Sequence, residues 1–227
     1  MGYTKTDIIS KCNAAFGKIS IFYKQNFVNY RGHTSDTNEL FTEVIAEFLC
    51  DHIEEFKNGI PTITRESSYR TRGHDGVIRN GASNREEELI AMQMFGRRYT
   101  FVGKMIDYQT PLKSERSDKA GKIDLLAYDG SVLRILELKK PKGDETMLRC
   151  VLEGFTYLRT VDSEKLLENF ELPRTTVIRA CPFVFKGGVQ YEEMHEPRPQ
   201  LKRLMALLDS KPYYITKSDG GFIIMED

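Results

Sequence analysis

Three charged residues stand inside two short apolar runs of this chain: Asp124 in "GKIDLLAYDG", and Glu137 and Lys139 in "SVLRILELKKP". Both runs have the composition of β-strands, and the Asp129-Gly130 pair between them is a hairpin-turn signal. Carboxylates and an amine in such runs are costly to bury unless they are paired, hydrogen-bonded or bound to a metal. Side chains alternate between the faces of a strand, so Leu133, Ile135, Glu137 and Lys139 share one face. A two-residue type I′ turn at Asp129-Gly130 predicts pairing of Tyr128 with Ser131, and hence of Asp124 with Ile135. Asp124 then projects on the Glu137 face as a diagonal neighbour, at roughly 7 Å or less between Cβ atoms. A three-residue turn would reverse the parity and separate them.

Two carboxylates this close raise each other's proton affinity unless a cation stands between them. Lys139 supplies part of that charge, which by itself would make the trio a buried structural ion pair. A divalent metal ion supplies it more completely, and oxygen ligands with no His or Cys nearby suit Mg²⁺ or Mn²⁺. The (D/E)-x-K spacing is weak alone. It recurs at Glu55-Phe56-Lys57 and Asp209-Ser210-Lys211, near helix ends where such residues are commonly solvated. Only Glu137-Leu138-Lys139 lies in a continuous apolar strand.

The elements expected to position these residues form a mixed α/β domain. A helix is expected over residues 5–29. A second is expected from a capping box at Asp36 and Glu39 to Asn58-Gly59, with Pro61 beyond. These make an N-terminal helical region, 1–60, ahead of a domain spanning 61–227 with its core at about 83–185. That core opens with an acidic helix, "SNREEELIAMQMFGRR", capped by Ser83 or Asn84. A strand, "YTFVGKMIDYQTP", precedes the two charged strands. A helix over 144–161 follows, with Met147, Leu148, Val151, Leu152, Phe155 and Leu158 on one face, then a short helix at "SEKLLENF" and a strand, "TTVIRACPFVF". A helix, "PQLKRLMALLD", and a hairpin, "PYYITKSDGGFIIME", complete the pattern.

From residue 83 the order is α-β-β-β-α-β, and with the Asp on the second strand and the E-x-K on the third the chain resembles the PD-(D/E)XK nuclease superfamily. "GKIDLLAYDG…LRILELKKP" is especially similar to its RecB-like and resolvase-like branches. Ile123 replaces the Pro that precedes the motif Asp. The resemblance covers about residues 83–185 and implies a restriction-endonuclease-like fold with a mixed central sheet flanked by helices. It implies that Asp124 and Glu137 bind Mg²⁺ (or Mn²⁺) together with the Leu138 carbonyl, and that Lys139 orients the attacking water and balances phosphate charge. The family often adds a Glu from the first core helix. Of Glu86, Glu87 and Glu88, Glu87 aligns with Ile90, Ala91 and Met94 and is chosen, although an acidic first turn also suits the helix dipole. Where many members present a Gln and a Tyr from the second core helix, this chain has Glu153 and Tyr157, with Gly154 permitting close helix–sheet approach.

The expected activity is therefore metal-dependent hydrolysis of phosphodiester bonds, with DNA the expected polymer. The alternatives are a non-catalytic nucleic-acid-binding module that keeps the fold, and a structural interaction protein. Net charge is zero, so the molecule as a whole does not announce a nucleic-acid partner. Residues 65–85 are locally basic, however, and Arg70, Arg72 and Arg79, with Lys140 and Lys142 beside the motif, are the expected phosphate contacts. No apolar run reaches 18 residues, so no membrane span is expected. Four scattered cysteines and four dispersed histidines disfavour a disulfide framework and a zinc site, which points to the cytoplasm. Oligomeric state, a homodimer included, is left open by the sequence.

Overall fold

The computed structural model describes residues 2–79, 85–112 and 121–226. Its centre is a seven-stranded mixed sheet whose spatial order follows the chain. The strands are β1 (Arg98–Tyr99), β2 (Gly103–Pro111), β3 (Lys122–Tyr128), β4 (Val132–Lys139), β5 (Val177–Phe185), β6 (Tyr213–Ser218) and β7 (Gly221–Met225). Neighbours from β1 to β4 are antiparallel, β4–β5 and β5–β6 are parallel, and β6–β7 is antiparallel. Parallel neighbours need crossovers. The first is made by α5 (Met147–Thr160) and α6 (Ser163–Asn169), the second by α7 (Val189–His195) and α8 (Pro199–Leu207). Ahead of the sheet lie α1 (Lys5–Phe16), α2 (Phe41–Asp51), α3 (Ile53–Asn58) and α4 (Glu86–Met94).

Alternation along β3 and β4 feeds two apolar clusters, which is why both strands read as nearly continuous apolar runs. Leu126, Leu133 and Ile135 join Leu148, Val151 and Leu152 of α5 and the N-terminal residues Ile8, Phe22, Ile45, Leu49 and Phe56. Leu125, Ala127, Leu136 and Leu138 join Ile90, Ala91 and Met94 of α4. The N-terminal helices thus share one core with α5. Among the described residues no helix is long and apolar enough to cross a membrane.

Several local expectations are corrected. The first helix ends at Phe16, and the chain continues as two 3-10 segments, Ile19–Lys24 and Asn26–Asn29. Phe16, Ile19 and Phe22 recur every three residues and are all buried, a spacing that a 3.0-residue turn turns inward better than an α-helix does. The capping box belongs to Thr4 and Asp7, at the start of α1. Asp36 instead accepts from the Lys5 backbone N–H (2.9 Å) and Glu39 from Lys5 Nζ (2.8 Å), while α2 begins at Phe41 without a side-chain cap. His52, at φ −114° and ψ 27°, divides the expected long helix into α2 and α3. The proposed caps Ser83 and Asn84 lie outside the described residues. Helix α7 was not foreseen.

The β3–β4 turn is also corrected. Tyr128 pairs with Leu133, so the connection is longer than a two-residue I′ turn. The Asp129 carboxylate accepts from the Ser131 and Val132 N–H groups at 2.8 Å each and pairs with Arg134 at 2.6 Å, which closes the longer loop from its own side chain. The register moves by an even step, so every side chain keeps the face expected of it.

Candidate active site

The β3–β4 ladder ends at Leu125–Leu136. One step beyond, its register sets Asp124 across from Glu137, closer than the diagonal neighbour expected from sequence. Here the Leu138 N–H donates to Asp124 Oδ2 (2.9 Å), holding the Leu138 main chain beside that carboxylate. Asp124 Oδ1 accepts from Gln109 Nε2 on β2 (3.0 Å). Glu137 and Lys139 follow on the same face of β4, only 3% and 6% exposed.

Lys139 Nζ is surrounded by carboxylates. It lies 2.9 Å from Glu137 Oε1, 2.8 Å from Glu145 Oε2 and 2.9 Å from Glu153 Oε2. Tyr157, one turn along α5, donates to Glu153 Oε1 at 2.8 Å, and Arg149 Nε stands 2.8 Å from Glu145 Oε1. Of the two glycines beside this packing, only Gly121 is needed to make room for it. A Cβ on Gly154 would sit 3.4 Å from Glu137 Cβ, and one on Gly121 would overlap the Tyr157 hydroxyl. From the other side of the sheet, Glu87 in the first turn of α4 accepts from the Lys140 N–H at 3.0 Å. Of the three adjacent glutamates, Glu86 is exposed and Glu88 pairs with Arg85 at 3.1 Å. Glu87 is the one turned to the end of β4.

The electrostatics follow from burial and crowding. Burial pushes the Asp124 carboxyl up to about 7; Lys139 and the Leu138 N–H oppose this, and the charges of Glu87 and Glu153 reinforce it. Burial and the Glu153 charge hold Glu137 well above the usual carboxylate range despite Lys139, with Asp124 adding to the effect. Burial disfavours the Lys139 cation, but Glu137 and Glu153 outweigh it and hold the ammonium firmly protonated. Glu153 is buried too, yet Lys139 and the Tyr157 hydroxyl keep it below its ordinary value. Lys139 is therefore shared unequally: Glu153 stays ionised, and Asp124 and Glu137 carry the deficit of positive charge. Glu137 Oε2 is buried with no hydrogen-bond donor beside it, and the proton that Glu137 retains is one it can share with the adjacent Glu153 carboxylate.

Among the described residues, no group of three or more His, Cys, Asp and Glu side chains is arranged to hold a metal ion. Mg²⁺, however, keeps several waters and is commonly held through one or two carboxylates. The pair Asp124 and Glu137 supplies two such carboxylates on one face, and no donor occupies Glu137 Oε2.

The basic loop is less open than its composition suggests. Arg65 is buried, donating to the Ser67 and Pro111 carbonyls at 3.4 Å. Arg79 pairs with Asp75 at 2.6 Å, and Arg70 stands 3.6 Å from Glu171. Arg72, Lys140 and Lys142 are exposed. His74 pins the loop to β2, with Nδ1 2.6 Å from Asp107 Oδ1 and its ring stacked on Tyr108 at 4.3 Å. The four cysteines are buried free thiols, as their scatter implies.

The structure thus gathers Asp124, Glu137, Lys139, Glu153 and Tyr157 into one network, with Glu87 and Leu138 at its edge. Sequence reading missed Glu145 and Gln109. Glu145 sat unnoticed in a helix start. Gln109 has no motif of its own and stands out only once β2 is aligned against Asp124. No protein-family model, curated protein or solved structure matches this chain, so its functional reading rests on the geometry of this site.

Proposed function

We propose that this protein is a Mg²⁺- or Mn²⁺-dependent nuclease of the restriction-endonuclease-like type, hydrolysing phosphodiester bonds at the Asp124–Glu137–Lys139 site. One observation carries the reading: two carboxylates on one strand face, Asp124 and Glu137, both driven by burial toward protonation, with no donor at Glu137 Oε2. Fully ionised, the four carboxylates Asp124, Glu137, Glu145 and Glu153 would outnumber the cations Lys139 and Arg149, which is why Asp124 and Glu137 are driven toward protonation. A divalent cation resolves both features.

Asp124 and Glu137 would hold the cation, joined by the Leu138 carbonyl and by Glu87. The cation supplies Lewis acidity, lowering the pKa of water and neutralising phosphate charge. Lys139 spends its three N–H donors on Glu137, Glu145 and Glu153; with Glu137 turned to the cation, the freed donor would orient the nucleophilic water and offset charge on the scissile phosphate. The Tyr157 hydroxyl fixes Glu153 and so sets the position of Lys139. Arg72, Lys140 and Lys142, with Arg70 and Arg79, contact the polymer backbone. The test is incubation with labelled single-stranded, duplex and branched DNA and RNA under Mg²⁺, Mn²⁺ or EDTA. Cleavage that EDTA abolishes is expected, and an intact panel under both metals would overturn the reading.

A second reading is favoured by one observation, the three carboxylates already around Lys139. In it the cluster is a structural ion-pair network and the domain binds nucleic acid or another protein without turnover. Backbone contacts can be tested apart from chemistry. Replacing Arg72 and Lys142 by Ala is expected to weaken DNA binding and to reduce the slope of log affinity against log salt by about 1 per residue. An unchanged slope would return both side chains to ordinary solvated surface.

A further inference from the structure

Strand β2 departs from regularity twice, once opposite Leu126 and Ala127 and once opposite Asp124. Its register against β3 shifts between Met105 and Asp107, and Gln109, in mid-strand, has φ +48°. Left-handed backbone is disfavoured for any residue with a Cβ. Asn and Asp tolerate it best because their short side chains bond locally. Gln109 makes no such local bond: its amide reaches across to Asp124. Tyr108 pairs with Leu125 and Thr110 with Ile123, so Gln109 and Asp124 are the residues between two paired steps. A regular residue at this point would extend the ladder without strain. The strained one delivers an N–H to a carboxylate.

That delivery has a definite consequence for Asp124. Gln109 Nε2 donates to Oδ1 at 3.0 Å and the Leu138 N–H donates to Oδ2 at 2.9 Å. One donor on each oxygen fixes the carboxylate plane. Each oxygen has two acceptor positions, so each keeps one open. Glu137 differs, with one oxygen on Lys139 and the other without a donor. Backbone strain persists only where its surroundings over-determine it, and it concentrates at functional sites.

We propose that Gln109 is a positioning residue: its left-handed backbone aims the side-chain amide at Asp124 and fixes that carboxylate to receive a divalent cation. The proposal rests on the nuclease reading and adds to it a residue outside the Asp, Glu and Lys trio. Groups that hold a metal ligand in place influence metal affinity and activity nearly as strongly as the ligands do, commonly by 10–100-fold.

Two substitutions separate the amide from the strain. Gln109→Met keeps the length and the strained backbone but removes the donor. Gln109→Gly removes the donor and also relieves the backbone, since glycine adopts positive φ freely. Mn²⁺ affinity by calorimetry on the full chain, thermal melting without metal, and cleavage kinetics are measured on both. Both variants are expected to lose roughly 10–100-fold in Mn²⁺ affinity. Gln109→Gly is expected to melt above Gln109→Met, and cleavage is expected to lose kcat at unchanged KM. Mn²⁺ affinity within twofold of wild type in both folded variants would overturn the positioning role and leave the nuclease reading standing. A wild type that binds no Mn²⁺ would overturn both. Two variants that fail to fold would make Gln109 a structural residue and overturn the proposal.

Discussion

Lys139→Met is expected to lower the melting temperature by roughly 6–20 °C in metal-free buffer. Lys139 is 6% exposed and is the ammonium common to Glu137, Glu145 and Glu153. Removing it leaves Glu137 and Glu153 side by side without compensation, while Glu145 keeps Arg149, and breaking a buried ion pair typically costs about 3–5 kcal/mol. Each kcal/mol moves the melting point of a domain this size by about 2–4 °C. Saturating Mg²⁺ is expected to recover part of the loss, because a cation at Asp124 and Glu137 replaces part of the missing charge. Turnover is not expected to return, since electrostatic positioning is most of what a protein contributes to phosphoryl chemistry. The measurement is a melt with and without Mg²⁺ beside a cleavage assay on the same preparation. A mutant equally destabilised with and without metal would make Lys139 a purely structural cation.

Asp124→Asn is expected to act in the opposite direction on stability. In the wild type, burial and neighbouring negative charge raise Asp124 to about 7. An unfolded Asp titrates near 3.9. Between those values the folded protein holds a proton that the unfolded chain releases. The stabilisation this carboxyl contributes is therefore complete below the unfolded pKa and is lost as pH rises through about 7. Asn is neutral throughout. It can still accept from the Leu138 N–H, and the Gln109 amide can rotate to present its oxygen. Without metal at pH 8 the variant is expected to melt higher than wild type, by on the order of 1–3 kcal/mol or roughly 2–12 °C. The difference should shrink as pH falls from 7 toward 4. Mn²⁺ should stabilise the wild type and leave the variant nearly unmoved. A variant that melts lower at pH 8, or a difference that ignores pH, would show that Asp124 is not held under electrostatic strain.

The trio at the centre of both predictions was legible in the sequence because strand parity is robust. The turn at Asp129-Gly130 was assigned the wrong length, yet the real register differs by an even step and leaves Asp124 and Glu137 on one face. A type I′ turn needs positive φ at both central residues, and only Gly130, at +115°, adopts it. Asp129 spends its side chain closing the loop and holding Arg134 instead. Glu87 was found because helical periodicity aligns it with Ile90, Ala91 and Met94, whereas Glu153 and Tyr157 came from the family resemblance, at the place of its second-helix Gln and Tyr. Gln109 was hidden by its own irregularity, since no periodicity signals a left-handed residue inside a strand. The anchoring of His74 on Asp107 was hidden because loop contacts leave no pattern in sequence. In the N-terminal region the apolar residues were seen, but their three-residue spacing was read as α-helix where 3-10 turns carry them inward.

Glu137 tests the central claim most directly, because it is one of the two carboxylates that carry the case for a cation, and no donor occupies its Oε2. The measurement is the single-turnover cleavage rate of labelled DNA under saturating Mg²⁺ for wild type and Glu137→Gln, with melting curves to establish that both are folded. Gln keeps the shape and an acceptor for Lys139 but cannot supply the charge that holds a divalent ion. The account predicts metal-dependent cleavage by the wild type and a loss of at least about 10³-fold in Glu137→Gln, in the range of other single electrostatic groups. Equal rates in the two folded proteins would contradict it.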